Sequence, residues 1–143
     1  MDREILFRGK DDNNNWCYGY AIIGKRFKWA SILPIDTIDD APPMFDECEV
    51  ELDTVGQYTG LKDKNGTKIF EGDIIKIPED WDKYGINAGE LFEVYFDYGG
   101  FRLKPKIYKD CRGYWLEDDG EFEIISNVHD NPELLEETTN VDY

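Results

Sequence analysis

Apolar and polar positions along this chain alternate in short bursts, and no apolar period at helical spacing outlasts about two turns. The first ten residues carry a strand at "REILFRGK" (3–10), and "DDNNN" (11–15) is a turn cluster. "WCYGYAIIG" (16–24) pairs back as a hairpin, and "KRFKWASIL" (25–33) is a third strand with Phe27, Trp29 and Ser31 on one face. Pro42 and Pro43 break structure over 39–47, because neither can donate a ladder hydrogen bond. A short strand follows at 48–52, and Gly56 and Gly60 mark a bend in which Tyr58 is packed. In "GLKDKNGTKIFEGDIIKI" (60–77) two apolar runs flank a polar knot. Asp63-Lys64-Asn65-Gly66 fits a type I turn with Gly66 left-handed. Gly72 permits a sharp entry to the next strand, and Asp73 is placed to accept backbone N–H bonds there. Residues 78–89 form a long loop. Strands at 90–97 and 101–106 join at 97–100, and 113–118 pairs with 121–128 about Asp119-Gly120. "NPELLEE" (131–137) reads as a short helix capped by Asn131, with Pro132 at its first position. Many short strands punctuated by Gly and Pro predict an all-β protein built as one or two small barrels.

Charge adds an asymmetry to this picture. The formal net charge is −16. Residues 35–61 hold eight acids and residues 117–143 hold ten, with no Lys or Arg in either stretch, so the rest of the chain is close to neutral. Direct nucleic-acid binding is disfavoured, because phosphate contacts need clustered Lys and Arg. Cys17, Cys48 and Cys111 are an odd number without CxxC spacing, which argues against both a disulfide framework and a zinc site. The N-terminus has no long apolar run, so the expectation is a protein of a reducing cytoplasm with no membrane contact.

Candidate chemistry is sparse. Read as a calcium loop, the 63–66 knot places Leu61 at the first ligand position and Gly72 at the twelfth, so two required carboxylates are missing. Asp63, Asn65, Gly66, Gly72 and Asp73 are therefore read as structural turn residues. His129 lies beside Asp130 without an accompanying nucleophile motif. Gly56–Gly60 lacks the spacing of a phosphate loop. No catalytic residue, cofactor or metal site is expected. Most strand aromatics should be core. Trp81 and Tyr84, in the polar loop "PEDWDKYG", are the candidate interaction residues.

Taken in order, "REILFRGK", "WCYG", "VGQYTGLKDKNGTKIFEGDIIKI" and "IISNVHDNPELLE" resemble the YopX family of phage and prophage proteins. The resemblance implies an SH3-like barrel over about residues 55–130 and a bacterial host cell, and it implies no catalytic residues. The expected organisation is an N-terminal β subdomain (1–54) and an SH3-like barrel with a short C-terminal helix and acidic tail (55–143). The expected function is that of a non-enzymatic accessory protein acting through a protein partner or as a homo-oligomer. Two alternatives are weighed: an acidic nucleic-acid mimic acting through its charged segments, and an enzyme using Asp73, His129 or Asp63.

Overall fold

A computed structural model describes residues 4–24, 26, 28–34, 47–77, 91–97, 99–105, 114–116 and 121–136. The chain divides into two compact units, Met1–Gly60 and Leu61–Tyr143. The described residues form two antiparallel sheets.

The first unit contains β1 (Phe7–Lys10), β2 (Trp16–Gly24), β3 (Trp29–Pro34), β4 (Cys48–Val50) and the start of β5 (Gly56–Lys62), hydrogen-bonded in the order β4-β3-β2-β1-β5. The 11–15 cluster turns the chain because Asp11 folds back on itself. Its Oδ1 accepts the N–H groups of Asn13 and Asn15, each at 2.9 Å, and Asn14 takes a φ of 64°. Beyond β4, a 3-10 turn at Leu52–Thr54 is tied to β1. The Lys10 N–H donates to Thr54 Oγ1 at 2.8 Å, and the Glu51 N–H donates to the Lys10 carbonyl at 2.8 Å. Ala30, Ile32 and Val50 form the buried centre, with Phe7, Cys17, Ala21 and Cys48 packed against it.

Residues 56–60, expected as a bend, are instead the start of β5. The Tyr58 N–H donates to the Leu6 carbonyl at 2.7 Å, and the Tyr58 side chain is buried. Gly60 takes a φ of +90° without breaking the strand. Pairing with β1 satisfies the backbone here, and that outweighs the local freedom of two glycines.

β5 continues past Gly60 into a hairpin with β6 (Lys68–Phe70). The second unit also holds β7 (Asp73–Lys76), β8 (Leu91–Asp97), β9 (Gly100–Pro105), β10 (Tyr114–Trp115) and β11 (Glu123–Asn127), in the order β10-β9-β8-β7-β11. Ile69, Ile75, Ile77, Phe92, Val94, Leu103 and Phe122 make its core. Among the described residues, the segments expected to pair with each other at 113–118 and 121–128 pair elsewhere: β10 pairs with β9, and β11 returns to β7. The β7–β11 register slips between Ile124 and Ser126, a bulge that leaves Ile125 turned outward.

The C-terminal helix reduces to a single 3-10 turn at Pro132–Leu135, and Asn131 makes no side-chain cap. Its side-chain oxygen accepts the Ser126 hydroxyl and its amide donates to Glu133 at 2.8 Å, so the capping atom is already engaged.

The 63–66 turn has the expected form. The Gly66 N–H donates to the Asp63 carbonyl at 3.0 Å, the Asp63 N–H donates to the Thr67 carbonyl at 2.8 Å, and Gly66 has a φ of 82°. Its carboxylate does more than close the turn. Oδ1 of Asp63 accepts the N–H groups of Asn65 and Thr67, both at 2.9 Å. Oδ2 accepts the Ile124 N–H at 3.1 Å, across a sequence separation of 61. Beside it, the Lys64 N–H donates to the Phe122 carbonyl at 2.8 Å and Lys64 Nζ lies 3.2 Å from Glu123. The turn therefore fastens the β5–β6 hairpin to β11.

Gly72 performs a related task at φ +92°: its N–H donates to the Val94 carbonyl and its own carbonyl accepts the Val128 N–H, each at 2.8 Å. The buried Asp73 accepts the Phe70 N–H at 2.7 Å, closing the turn that Gly72 makes. Within the sheet, Glu93 faces Lys104 across the β8–β9 ladder. Burial raises the Glu93 carboxyl above the usual carboxylate value, and attraction to Lys104 only partly opposes it.

Asp63→Ala removes the buried carboxylate that accepts three backbone N–H groups and should cost about 3 kcal/mol in urea unfolding. Glu93 is the opposite case, because a carboxyl whose folded pKa is raised binds its proton more tightly in the native state. Its ionisation therefore lowers stability as the pH rises from the unfolded to the folded value. Glu93→Gln is expected to raise the urea midpoint at pH 7, with the difference closing as the pH falls below the unfolded value.

Candidate interaction face

The most prominent exposed apolar feature among the described residues lies on β2. Tyr18, Tyr20 and Ile22 are 46%, 45% and 46% exposed. At alternate positions of one strand they share a face and span roughly 13 Å, taking about 3.3 Å per residue. The opposite face of β2 carries Cys17, Gly19 and Ala21, with Cys17 and Ala21 packed on the core of the unit. Over Cys17–Ile22 the large side chains therefore point outward and the small ones inward, and only Ile23, at the strand's end, puts a large side chain on the other face, where it is 51% exposed. The two tyrosines reverse the expectation that strand aromatics are core.

The reason is the closeness of β3. A Cβ placed on Gly19 would fall 1.9 Å from the Leu33 carbonyl oxygen, so no side chain fits there. At Gly9, opposite Cys17 in register, a Cβ would meet Val50 Cγ2 at 2.7 Å. Small residues let the inner layer close, and the bulk of β2 is left outside.

Register places charged groups around this row. Arg8 lies opposite Tyr18, and Lys10 opposite Trp16. The Arg8 guanidinium carbon sits 4.4 Å from the Trp16 ring centroid and Lys10 Nζ sits 5.5 Å from it, so two cations gather on one indole. On the other side Ser31 pairs with Ile22, and Glu49 with Ser31. Arg8 is buried at 5% exposure, so the cation this corner presents is the half-buried Lys10, and the diagonally opposite corner carries the exposed Glu49 carboxylate.

β2 lies inside the sheet, between β1 and β3, so a partner would meet side chains instead of adding a strand. The three-residue β4 at the sheet edge, with Glu49 exposed, is a poor template for strand addition. A second, smaller exposed aromatic stands at the β8–β9 turn, where Phe96 is 53% exposed and packs edge-to-face on Phe101 at 5.3 Å.

The residues singled out by the sequence are distributed differently. Trp81 and Tyr84 lie outside the described residues. Asp63, Asn65, Gly66, Gly72 and Asp73 occupy the two turns described above, and both acids have carboxylate oxygens committed to backbone N–H groups. His129 Nε2 lies 3.3 Å from the position a Gly72 Cβ would take, and Asp130 Oδ2 accepts from the Asn127 amide at 2.8 Å. The structure also joins Cys17 to Cys48 in a disulfide, with the Cα atoms 6.8 Å apart, against the expectation from cysteine count and spacing. Folding β4 back along β3 brings together two cysteines 31 residues apart, which no local motif announces.

Among the described residues no helix is long and apolar enough to cross a membrane. The protein is thus an all-β protein of two antiparallel sheets whose exposed apolar row lies on a sheet face. The family model for the YopX protein matches residues 6–136, and the chain belongs to that family. Its fold is similar to the crystal structure of protein EF1440 from Enterococcus faecalis, with a TM-score of 0.56 at 21% identity, covering 94% of this chain and 100% of that one. No curated protein matches the sequence.

Gly19→Ala should force β2 and β3 apart and cost about 1–3 kcal/mol, the usual range for overpacking a closed site. Gly24→Ala, where the nearest atom to the new Cβ is at 3.5 Å, should be tolerated. Hydrogen exchange of the β2 and β3 amides distinguishes the two outcomes.

Proposed function

We propose that this chain is a phage or prophage accessory protein of the bacterial cytoplasm that acts by protein–protein contact and not by catalysis, and that its first partner is a second copy of itself. The observation that carries this reading is the exposed Tyr18–Tyr20–Ile22 row on an interior strand. Tyrosine presents a large amphipathic surface with few rotatable bonds, which suits a contact face. The row is also self-complementary. A two-fold axis between facing copies would set the Lys10 corner of each over the Glu49 corner of the other, the arrangement an isologous dimer needs. The non-catalytic part of the reading is supported by the use of Asp63 and Asp73 as backbone acceptors. For the second unit, the SH3-like barrel reading is supported by a meander β7-β8-β9-β10, after which β11 returns to pair with β7.

Size-exclusion chromatography with light scattering tests the proposal. The wild-type chain should run as a dimer that dissociates on dilution. The double variant Tyr18→Ser, Tyr20→Ser should be monomeric with an unchanged thermal midpoint. A wild-type chain that stays monomeric up to high concentration would overturn it.

A further inference from the structure

The inner face of the first sheet carries a group of residues that contact through β2 does not use. Asp11, Cys17 and Cys48 each offer a ligand atom, and these atoms all lie within 4.8 Å of one another. The three come from different elements: the turn after β1, the start of β2 and the start of β4. Each is half-buried, so the group is held by the fold yet reachable from solvent. Asp11 is fixed in place because its Oδ1 holds the N–H groups of Asn13 and Asn15. Cys17 and Cys48 are set by the β1–β2 and β3–β4 registers, opposite Gly9 and Ile32.

We propose that Cys17 and Cys48, when reduced, form with Asp11 a binding site for a zinc-class metal ion, and that the Cys17–Cys48 disulfide is the oxidised, metal-free form of the same site. Two thiolates and one carboxylate are a donor set that suits zinc and disfavours magnesium or calcium, which take oxygen ligands. Three protein ligands leave the fourth tetrahedral position for water. Held by a fastened turn and two separate strands, the ligands are ordered before the metal arrives.

Passage between the two forms needs a low-molecular-weight disulfide as oxidant. One thiolate attacks it, forming a mixed disulfide and expelling one thiolate of the reagent. The second cysteine then displaces the other half. The two cysteines lose two electrons, the reagent leaves as two thiols, and the metal passes to solvent.

The full-length chain, reduced with a phosphine and kept from oxygen, is titrated with Co2+ as a spectroscopic substitute for zinc. Thiolate-to-cobalt charge-transfer absorption should saturate at one ion per chain and be displaced by Zn2+. Cys17→Ser and Cys48→Ser should abolish it, and Cys111→Ser should retain it. Asp11→Asn keeps a side-chain oxygen for Asn13 and Asn15 and leaves both thiols intact, so it tests the third ligand without unmaking the loop. It should weaken binding by about tenfold or more, the order seen when a metal site loses a supporting carboxylate. Oxidised glutathione should release one equivalent of metal while consuming two of the three thiols. No charge-transfer band in the reduced wild type, a band that survives both cysteine substitutions, or metal retained after the two thiols are oxidised would overturn the proposal.

Discussion

The second unit depends on a carboxylate that looks local. Asp63 sits in a four-residue turn, and its backbone makes the hydrogen bonds such a turn requires. Yet the side chain is buried, and its second oxygen reaches the Ile124 N–H of β11, a strand far along the chain. A buried charge is tolerated only where donors surround it, and three backbone N–H groups do so here. The same contact decides where β11 lies, and β11 in turn pairs with β7. Gly72 answers from the other end of β6. Its positive φ aims its N–H at Val94 and its carbonyl at Val128, so the short hairpin is fastened to β8 and to the chain after β11. Two turns with simple local signatures thus set the long-range order of the strands.

The first unit depends on thinness. Gly9 and Gly19 leave no room for a side chain, so β1 approaches Val50 and β2 approaches Leu33 closely. Their small size has a consequence on the outer face: the bulk of β2 is carried by Trp16, Tyr18, Tyr20 and Ile22, which the inner layer cannot hold. An exposed apolar row on an interior strand is costly to leave in water. The proposed second copy would cover that row, with Lys10 meeting Glu49 at the corners. The same close packing draws Cys17 and Cys48 together beneath the sheet and beside Asp11. The outer face and the thiol pair are therefore two products of one constraint, the close approach of neighbouring strands.

Much of the fold was legible in the residues. The β2 limits, the turn at Asp63–Gly66, the entry at Gly72–Asp73 and the β8–β9 hairpin follow from alternation and turn chemistry, which act over a few residues. The errors fall where a distant partner overrode a local preference. Gly56 and Gly60 suggested a bend, but β1 supplied a ladder and the segment became β5. Residues flanking Asp119-Gly120 suggested a hairpin, but β9 and β7 took the two strands separately. Asn131 suggested a helix cap, but Ser126 engaged its oxygen first.

The candidate face was less legible, because periodicity says which residues share a side and is silent on which side is covered. The sequence by itself determined an all-β chain, its turns and its uneven charge, since these depend on backbone conformation and on residue type at short range. Only the tertiary structure decided that Tyr18 and Tyr20 face water, that Asp63 reaches Ile124, and that Cys17 meets Cys48. Each of those depends on which strands become neighbours, and neighbour choice is settled by packing and hydrogen bonding summed over the whole sheet.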